Sequence, residues 1–257
     1  MPPVHPQALL IDLDGTLVDT RGDFMLALNG MLAELGLPRV DAPFIEHTVG
    51  KGSEHLIRST LALSQDAAGI ERLYAPAWAA YERHYLAING SGSSLYPGVL
   101  EGLQALAGLG LPLVCLTNKP GYFARPLLAH KGLLHHFVQV WGGDAFERRK
   151  PHPLPLLKAC EALGTAPAAT WMVGDSRNDA EAAHAAGCPV WLMRYGYNHG
   201  EPIEAVPAAG YLDRLDDWPA LITPSGNPRP GAAPSGHRPA VPAPARDKAA
   251  RWGGGSR

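Results

Sequence analysis

The chain has 257 residues, 46% of them hydrophobic and 18% charged, with a formal net charge of −2. That length accommodates one large domain or two modest ones, and the composition is that of a soluble globular protein rather than a fibrous or membrane-embedded one. From Thr223 onward six basic residues stand against Asp247, so the body before it carries about −7, which argues against nucleic acid as a partner.

The first predicted element is the apolar run Leu9-Leu10-Ile11, which leads into Asp12-Leu13-Asp14-Gly15-Thr16. Strand side chains alternate between faces, so the spacing predicts that Asp12 and Asp14 point the same way where the strand ends, and Gly15 permits a sharp turn there. Taken alone the stretch also reads as a plain acidic turn or a calcium loop. The pattern then becomes helical for about seventy residues. Phe24, Leu28, Met31, Leu32 and Leu35 form one stripe closed by Gly36; Leu56, Ile57, Leu61 and Leu63 form a second; Leu73, Trp78, Tyr81 and Tyr85 form a third. Val49-Gly50-Lys51-Gly52-Ser53 lies between the first two. A helical excursion this long straight after the first strand predicts a domain inserted over residues 21–95, the alternative being helices that pack directly on the sheet.

From Tyr96-Pro97-Gly98 the chain alternates helix and strand, the signature of parallel pairing through crossover helices. Expected strands are Leu113 to Leu116, Val138 to Trp141, Thr170 to Val173 and Pro189 to Met193. Expected helices cover Val99 to Leu109, Phe123 to His130, about Pro153 to Leu163, and Ala180 to Ala186. Tyr195 to Gly200 reads as loop. The fold class is therefore α/β, a Rossmann-like parallel sheet core built from residues 1–20 and 96–222 with a helical insertion. Residues 223–257 are rich in Pro, Gly, Ala and Arg and are expected to be a disordered tail. Cys115, Cys160 and Cys188 show no ligand spacing, no stretch reaches the ~20 apolar residues of a membrane span, and Met1 to Gln7 lacks an export signal, so a cytoplasmic location is expected.

Three predicted strand ends carry polar groups: Asp12 and Asp14, Thr117 and Asn118, Asp175 and Asp179. All carboxyl ends of a parallel sheet share one edge, and Lys150 joins from a neighbouring loop. Carboxylates crowded this way repel unless a cation sits among them, and hard oxygen donors point to magnesium.

In order and spacing, Asp12-Leu13-Asp14-Gly15-Thr16, Thr117, Lys150 and Gly174-Asp175 with Asp179 resemble the four motifs of the haloacid dehalogenase superfamily. Tyr96-Pro97-Gly98, Leu116-Thr117-Asn118-Lys119-Pro120, Gly142-Gly143-Asp144, Arg149-Lys150-Pro151-His152-Pro153 and Tyr195-Gly196-Tyr197-Asn198 look like the phosphoglycolate phosphatases within it, over residues 8 to 221. The resemblance implies a phosphomonoesterase acting on a small phosphorylated metabolite, 2-phosphoglycolate first. Asp12 would be the nucleophile, Asp14 the proton donor and later the base, and Thr117, Asn118 and Lys150 the phosphate ligands. Magnesium would lie among Asp12, the Asp14 carbonyl, Asp175 and Asp179. The insertion would be a cap that selects the leaving group; its loop departs from the family's Val-Gly-Asn-Gly by carrying Lys51, which could pair with a substrate carboxylate. Alternatives are a phosphatase for N-acetylmuramic acid 6-phosphate or another sugar phosphate, a β-phosphoglucomutase, and a catalytically idle binding module. Oligomeric state is not legible.

Overall fold

A computed structural model describes residues 5–222; the expectation of a disordered tail over 223–257 falls outside them. Strands β1 (Ala8–Ile11), β4 (Leu113–Leu116), β5 (Gln139–Trp141), β6 (Thr170–Gly174), β7 (Val190–Met193) and β8 (Gly210–Leu212) form one parallel sheet in the order β5-β4-β1-β6-β7-β8. β1 is central, paired through Leu10 with Val114 of β4 and with Met172 of β6. Its four residues are all fully buried, as expected of a strand covered on both faces. Alternation sorts them: Leu9 and Ile11 join Cys115, Val173 and Leu103 in one apolar layer, whereas Leu10 joins Val114, Met172 and Leu156 in the other.

Helices α5 (Val99–Gly108), α6 (Gly121–His130), α7 (Leu154–Leu163) and α8 (Arg177–Ala186) supply the crossovers. The chain leaves β1 and returns through a two-stranded antiparallel ribbon, β2 (Val18–Asp19) with β3 (Ser94–Leu95). Between these lie α1 (Arg21–Glu34), α2 (Ala42–Thr48), α3 (Ser53–Leu61) and α4 (Ala67–Ile88). They share a core of their own, centred on Leu28, Met31, Ile57, Tyr81 and Tyr85, to which Phe123 and Tyr197 are the buried contributions from outside residues 21–95.

Several details differ from the sequence expectation. α2 gives no apolar stripe of its own in the sequence, being only seven residues long; it forms because Asp41 accepts a hydrogen bond from the Phe44 N–H at 3.1 Å and a proline occupies its first turn. The ribbon, β8 and the terminal helix α9 (Trp218–Ile222) were also not anticipated, each being too short for a periodic signal. α8 starts at Arg177, three residues before the expected Ala180, because Ser176 and Asp179 form a reciprocal capping box. Among the described residues no helix is long and apolar enough to cross a membrane.

Candidate active site

β1 stops at Ile11, so Asp12 and Asp14 are placed by the turn that follows and not by strand alternation. Asp12 still donates its N–H to the Val173 carbonyl at 2.9 Å. The chain then folds back at once: Leu17 N–H bonds to Leu13 O at 3.0 Å and Gly15 N–H to Val18 O at 3.0 Å. Gly15 has φ +87°, and a side chain there would strike the Asp175 carboxylate. Only glycine meets both conditions.

Lys150 is buried between two acids. Its Nζ lies 3.0 Å from Asp12 Oδ1 and 2.7 Å from Asp179 Oδ1, and it donates to the Leu116 carbonyl at 2.8 Å. Burial opposes the charge on this ammonium, but Asp12 and Asp179 outweigh it and raise its pKa. The contact with Asp12 Oδ1 is close yet not aligned as a hydrogen bond, so that buried oxygen has no hydrogen-bond partner. Burial chiefly, then the Asp179 charge, raises the Asp12 carboxyl to about 7 against the pull of Lys150.

Asp179, in the first turn of α8, is saturated: Oδ2 accepts from Asp175 N–H at 3.2 Å, Ser176 N–H at 3.1 Å and Ser176 Oγ at 2.8 Å. Asp175 accepts from Thr16 Oγ1 and from Tyr197 N–H, each at 2.6 Å. Gly196 lets the Tyr195–Tyr197 segment approach, since a side chain there would collide with Asp175. Burial, followed by the charges of Asp179 and Asp12, pushes the Asp175 carboxyl well above its ordinary range.

One oxygen from each of Asp12, Asp175 and Asp179 lies within 4.8 Å of the others. Three buried carboxylates that repel one another, with Asp12 Oδ1 lacking a hydrogen bond, fit a hard divalent cation held by oxygen donors. The Asp14 carboxylate is not part of this triad.

From β4, Thr117 and Asn118 reach the same edge. Thr117 Oγ1 accepts from Lys119 N–H at 3.2 Å, which leaves its own hydroxyl proton to donate. The Asn118 amide is occupied by backbone: it donates to Gly50 O at 2.9 Å and Lys150 O at 2.8 Å, and accepts from Lys150 N–H at 3.0 Å. Its side chain therefore fixes Lys150 and the Val49–Ser53 loop, leaving the backbone N–H as its route to a phosphate. That loop is joined to the sheet edge through Gly50; Lys51 itself is exposed and forms no ion pair among the described residues. Asp144 accepts from Gly121 N–H at 2.7 Å, a turn residue at the start of α6.

Sequence reasoning assigned Lys119 no role, yet its buried Nζ lies 2.9 and 3.1 Å from the two Asp14 oxygens. Rings of Phe24 and Tyr85 stand over it at 4.5 and 4.6 Å. The available signal was its place two residues beyond Thr117 at a strand end.

A family model described as haloacid dehalogenase-like hydrolase matches residues 9–193. A phosphoglycolate phosphatase of Thiobacillus denitrificans is 41% identical over 221 residues, covering 86% of this chain and 97% of its own length. Another, from Cupriavidus necator, is 43% identical over 218 residues, covering 85% and 94%. The crystal structure of a predicted phosphoglycolate phosphatase from Haemophilus somnus superposes with a TM-score of 0.80 at 30% identity, covering 84% of this chain and 98% of that one.

Proposed function

Because the chain belongs to the haloacid dehalogenase-like hydrolases and is a phosphoric monoester hydrolase of that family, we propose that it converts 2-phosphoglycolate to glycolate and phosphate with magnesium as cofactor. The observation that carries this reading is the division of charge at the sheet edge: Asp12 stands against Lys150, and Asp14 against Lys119. Relatives covered almost to their full length are named phosphoglycolate phosphatases, which supports the substrate.

Asp12 attacks phosphorus and the ester P–O bond breaks, giving an aspartyl-phosphate that water hydrolyses in a second step. Asp14 gives a proton to the departing glycolate oxygen and then takes one from the water. Thr117 Oγ1, the Asn118 N–H and Lys150 Nζ hold the phosphoryl oxygens, because this chemistry depends on placement and charge neutralisation. Asp12, Asp175 and the Asp14 carbonyl would hold magnesium, which neutralises charge between an anionic nucleophile and an anionic ester. Asp179 acts mainly by orienting Lys150 and Asp175 N–H, a role its saturated oxygens favour. Residues 21–95 form the cap over a core of 1–20 and 96–222, and select the leaving group.

The test is hydrolysis of 2-phosphoglycolate and p-nitrophenyl phosphate by the wild type and by Asp12→Asn, with magnesium. Asp12→Asn is expected to reduce both to the uncatalysed baseline; undiminished turnover would sink the mechanism.

A further inference from the structure

The helices that face Asp14 carry two tyrosines whose hydroxyls no hydrogen bond accounts for. Tyr81 and Tyr85 of α4 are both fully buried, and neither Oη has a partner of proper length and angle. Ser53 lies near the Tyr81 hydroxyl but without an aligned bond. A buried hydroxyl left unsatisfied is destabilising, and here two of them belong to neighbouring residues of one helix. Both lie in the field of Asp14: burial first and then its negative charge raise the two phenols well above their ordinary range. They therefore remain O–H donors. Their rings are 5.6 Å apart, and the Tyr85 ring stands 4.6 Å from Lys119 Nζ.

Lys119 completes the wall. Its ammonium has three protons, and the Asp14 carboxylate, 10% exposed, is its one acidic partner. The Phe24 and Tyr85 rings also stand at contact distance from it. Lys150 stands against Asp12 as Lys119 stands against Asp14. The site thus holds two buried cations, Lys150 beside Asp12 and Lys119 beside Asp14, and the Lys119 ammonium is bonded on the Asp14 side alone among the described residues.

We propose that Lys119 Nζ together with the Tyr81 and Tyr85 hydroxyls binds the carboxylate of the leaving group, making these three residues the determinants that select short phosphorylated 2-hydroxy acids over neutral phosphate esters. This rests on the phosphomonoesterase reading above and supplies its specificity. An ammonium buried against aromatic faces is matched by an anion and not by a sugar hydroxyl. Two phenol donors satisfy the remaining lone pairs of a carboxylate. The apolar rings around them exclude the water that would otherwise weaken the pair.

The experiment compares kcat/KM for 2-phosphoglycolate with that for 2-hydroxyethyl phosphate, which replaces the carboxylate by a hydroxymethyl group. Variants are Lys119→Met, Tyr81→Phe and Tyr85→Phe in the full chain with magnesium. Lys119→Met is expected to reduce the acid-to-neutral ratio about 100-fold, as for loss of one partner of a buried charge pair. Each Tyr→Phe is expected to reduce it about 10-fold, the value of a hydrogen bond to a charged group. The phenylalanine variants lose only hydroxyls that bond nothing in the protein, so they keep the proposal testable if Lys119→Met fails to fold. An unchanged ratio in both phenylalanine variants, with both esters slowed alike, would overturn the inference and leave the substrate reading standing. A wild type that prefers the neutral ester would overturn the inference while leaving the phosphatase chemistry intact. Hydrolysis of neither ester would overturn the functional reading itself.

Discussion

At the sheet edge nearly every buried polar atom is answered within the protein: Lys150 by Asp12, Asp179 and a carbonyl, Asp179 by three donors, Asn118 by three backbone groups. The helical wall opposite is built the other way, from Phe24, Tyr81 and Tyr85, with phenol hydroxyls that bond nothing. The first region arrives with its geometry fixed, as phosphoryl transfer requires. The second keeps unspent donors in an apolar surface, where a ligand with the right acceptors gains most and a wrong one leaves them unpaired. On the proposed reading, chemistry falls to the more fully bonded surface and selection to the one with unspent donors.

The sharpest way to break that contrast is to unsaturate the sheet edge. Lys150→Met leaves Asp12 and Asp179 buried without their cation, which costs about 3–5 kcal/mol. For a chain of this length that corresponds to a fall in melting temperature of roughly 10 °C. Thermal unfolding with divalent ions chelated checks it, and turnover of 2-phosphoglycolate is expected to be lost in the same variant. A melting temperature unchanged within error would mean that Lys150 is not the counter-charge the ion pairs indicate.

Divalent cation is expected to act on the same acids. The buried triad of Asp12, Asp175 and Asp179 repels itself, so magnesium at a hundredfold excess over its dissociation constant should stabilise the fold by about 2.7 kcal/mol. Chelation should remove that gain together with activity, and magnesium should restore both. A melting temperature indifferent to magnesium in the wild type would place the ion elsewhere.

Asn118→Ala probes the joint between the two regions. It deletes the bonds to Gly50 O, Lys150 O and Lys150 N–H, leaving buried backbone groups unpaired at a cost of about 2 kcal/mol. Asn178→Ala removes only a 3.4 Å contact to the same Gly50 carbonyl and a bond to the His199 ring. The Asn118 variant should melt lower of the two, and its KM for 2-phosphoglycolate should rise as the Val49–Ser53 loop is released. Equal effects would show that the loop is held by its glycine turns alone.

These two regions also differ in how far the sequence discloses them. Asp12, Thr117, Lys150 and Asp175 each follow an apolar strand run or sit in a loop beyond one, so strand patterning alone brings them to one edge, and the parallel order of β4, β1 and β6 does so in the structure. Asp179 falls just before the helix expected from Ala180, whereas it sits inside α8, because a capping box looks polar and loop-like in one dimension. Lys119 shares that strand end, but nothing in its sequence neighbours tells that its side chain turns back onto Asp14, 105 residues earlier. Tyr81 and Tyr85 read as part of an apolar stripe, which they are; that their hydroxyls lack partners depends on α1, α4 and α6 packing together. Periodicity reports which face is buried and is silent on what the polar tip of a buried tyrosine meets.

Lys51 gives the smallest expected effect and the closest discrimination between sequence and geometry. Its place in a glycine-flanked loop of the helical insertion makes it the candidate the sequence offers for the substrate carboxylate, yet it is exposed while Lys119 is buried beside Asp14. Water and salt screen an exposed ammonium, so its pairing contributes at most about 1 kcal/mol. Lys51→Ala is therefore expected to change the ratio of kcat/KM for 2-phosphoglycolate over 2-hydroxyethyl phosphate by less than about 5-fold. That small change should vanish at high ionic strength, while the Lys119→Met effect persists because its partners are shielded from solvent. A loss in Lys51→Ala as large as that in Lys119→Met would move selection from the tyrosine wall to the loop.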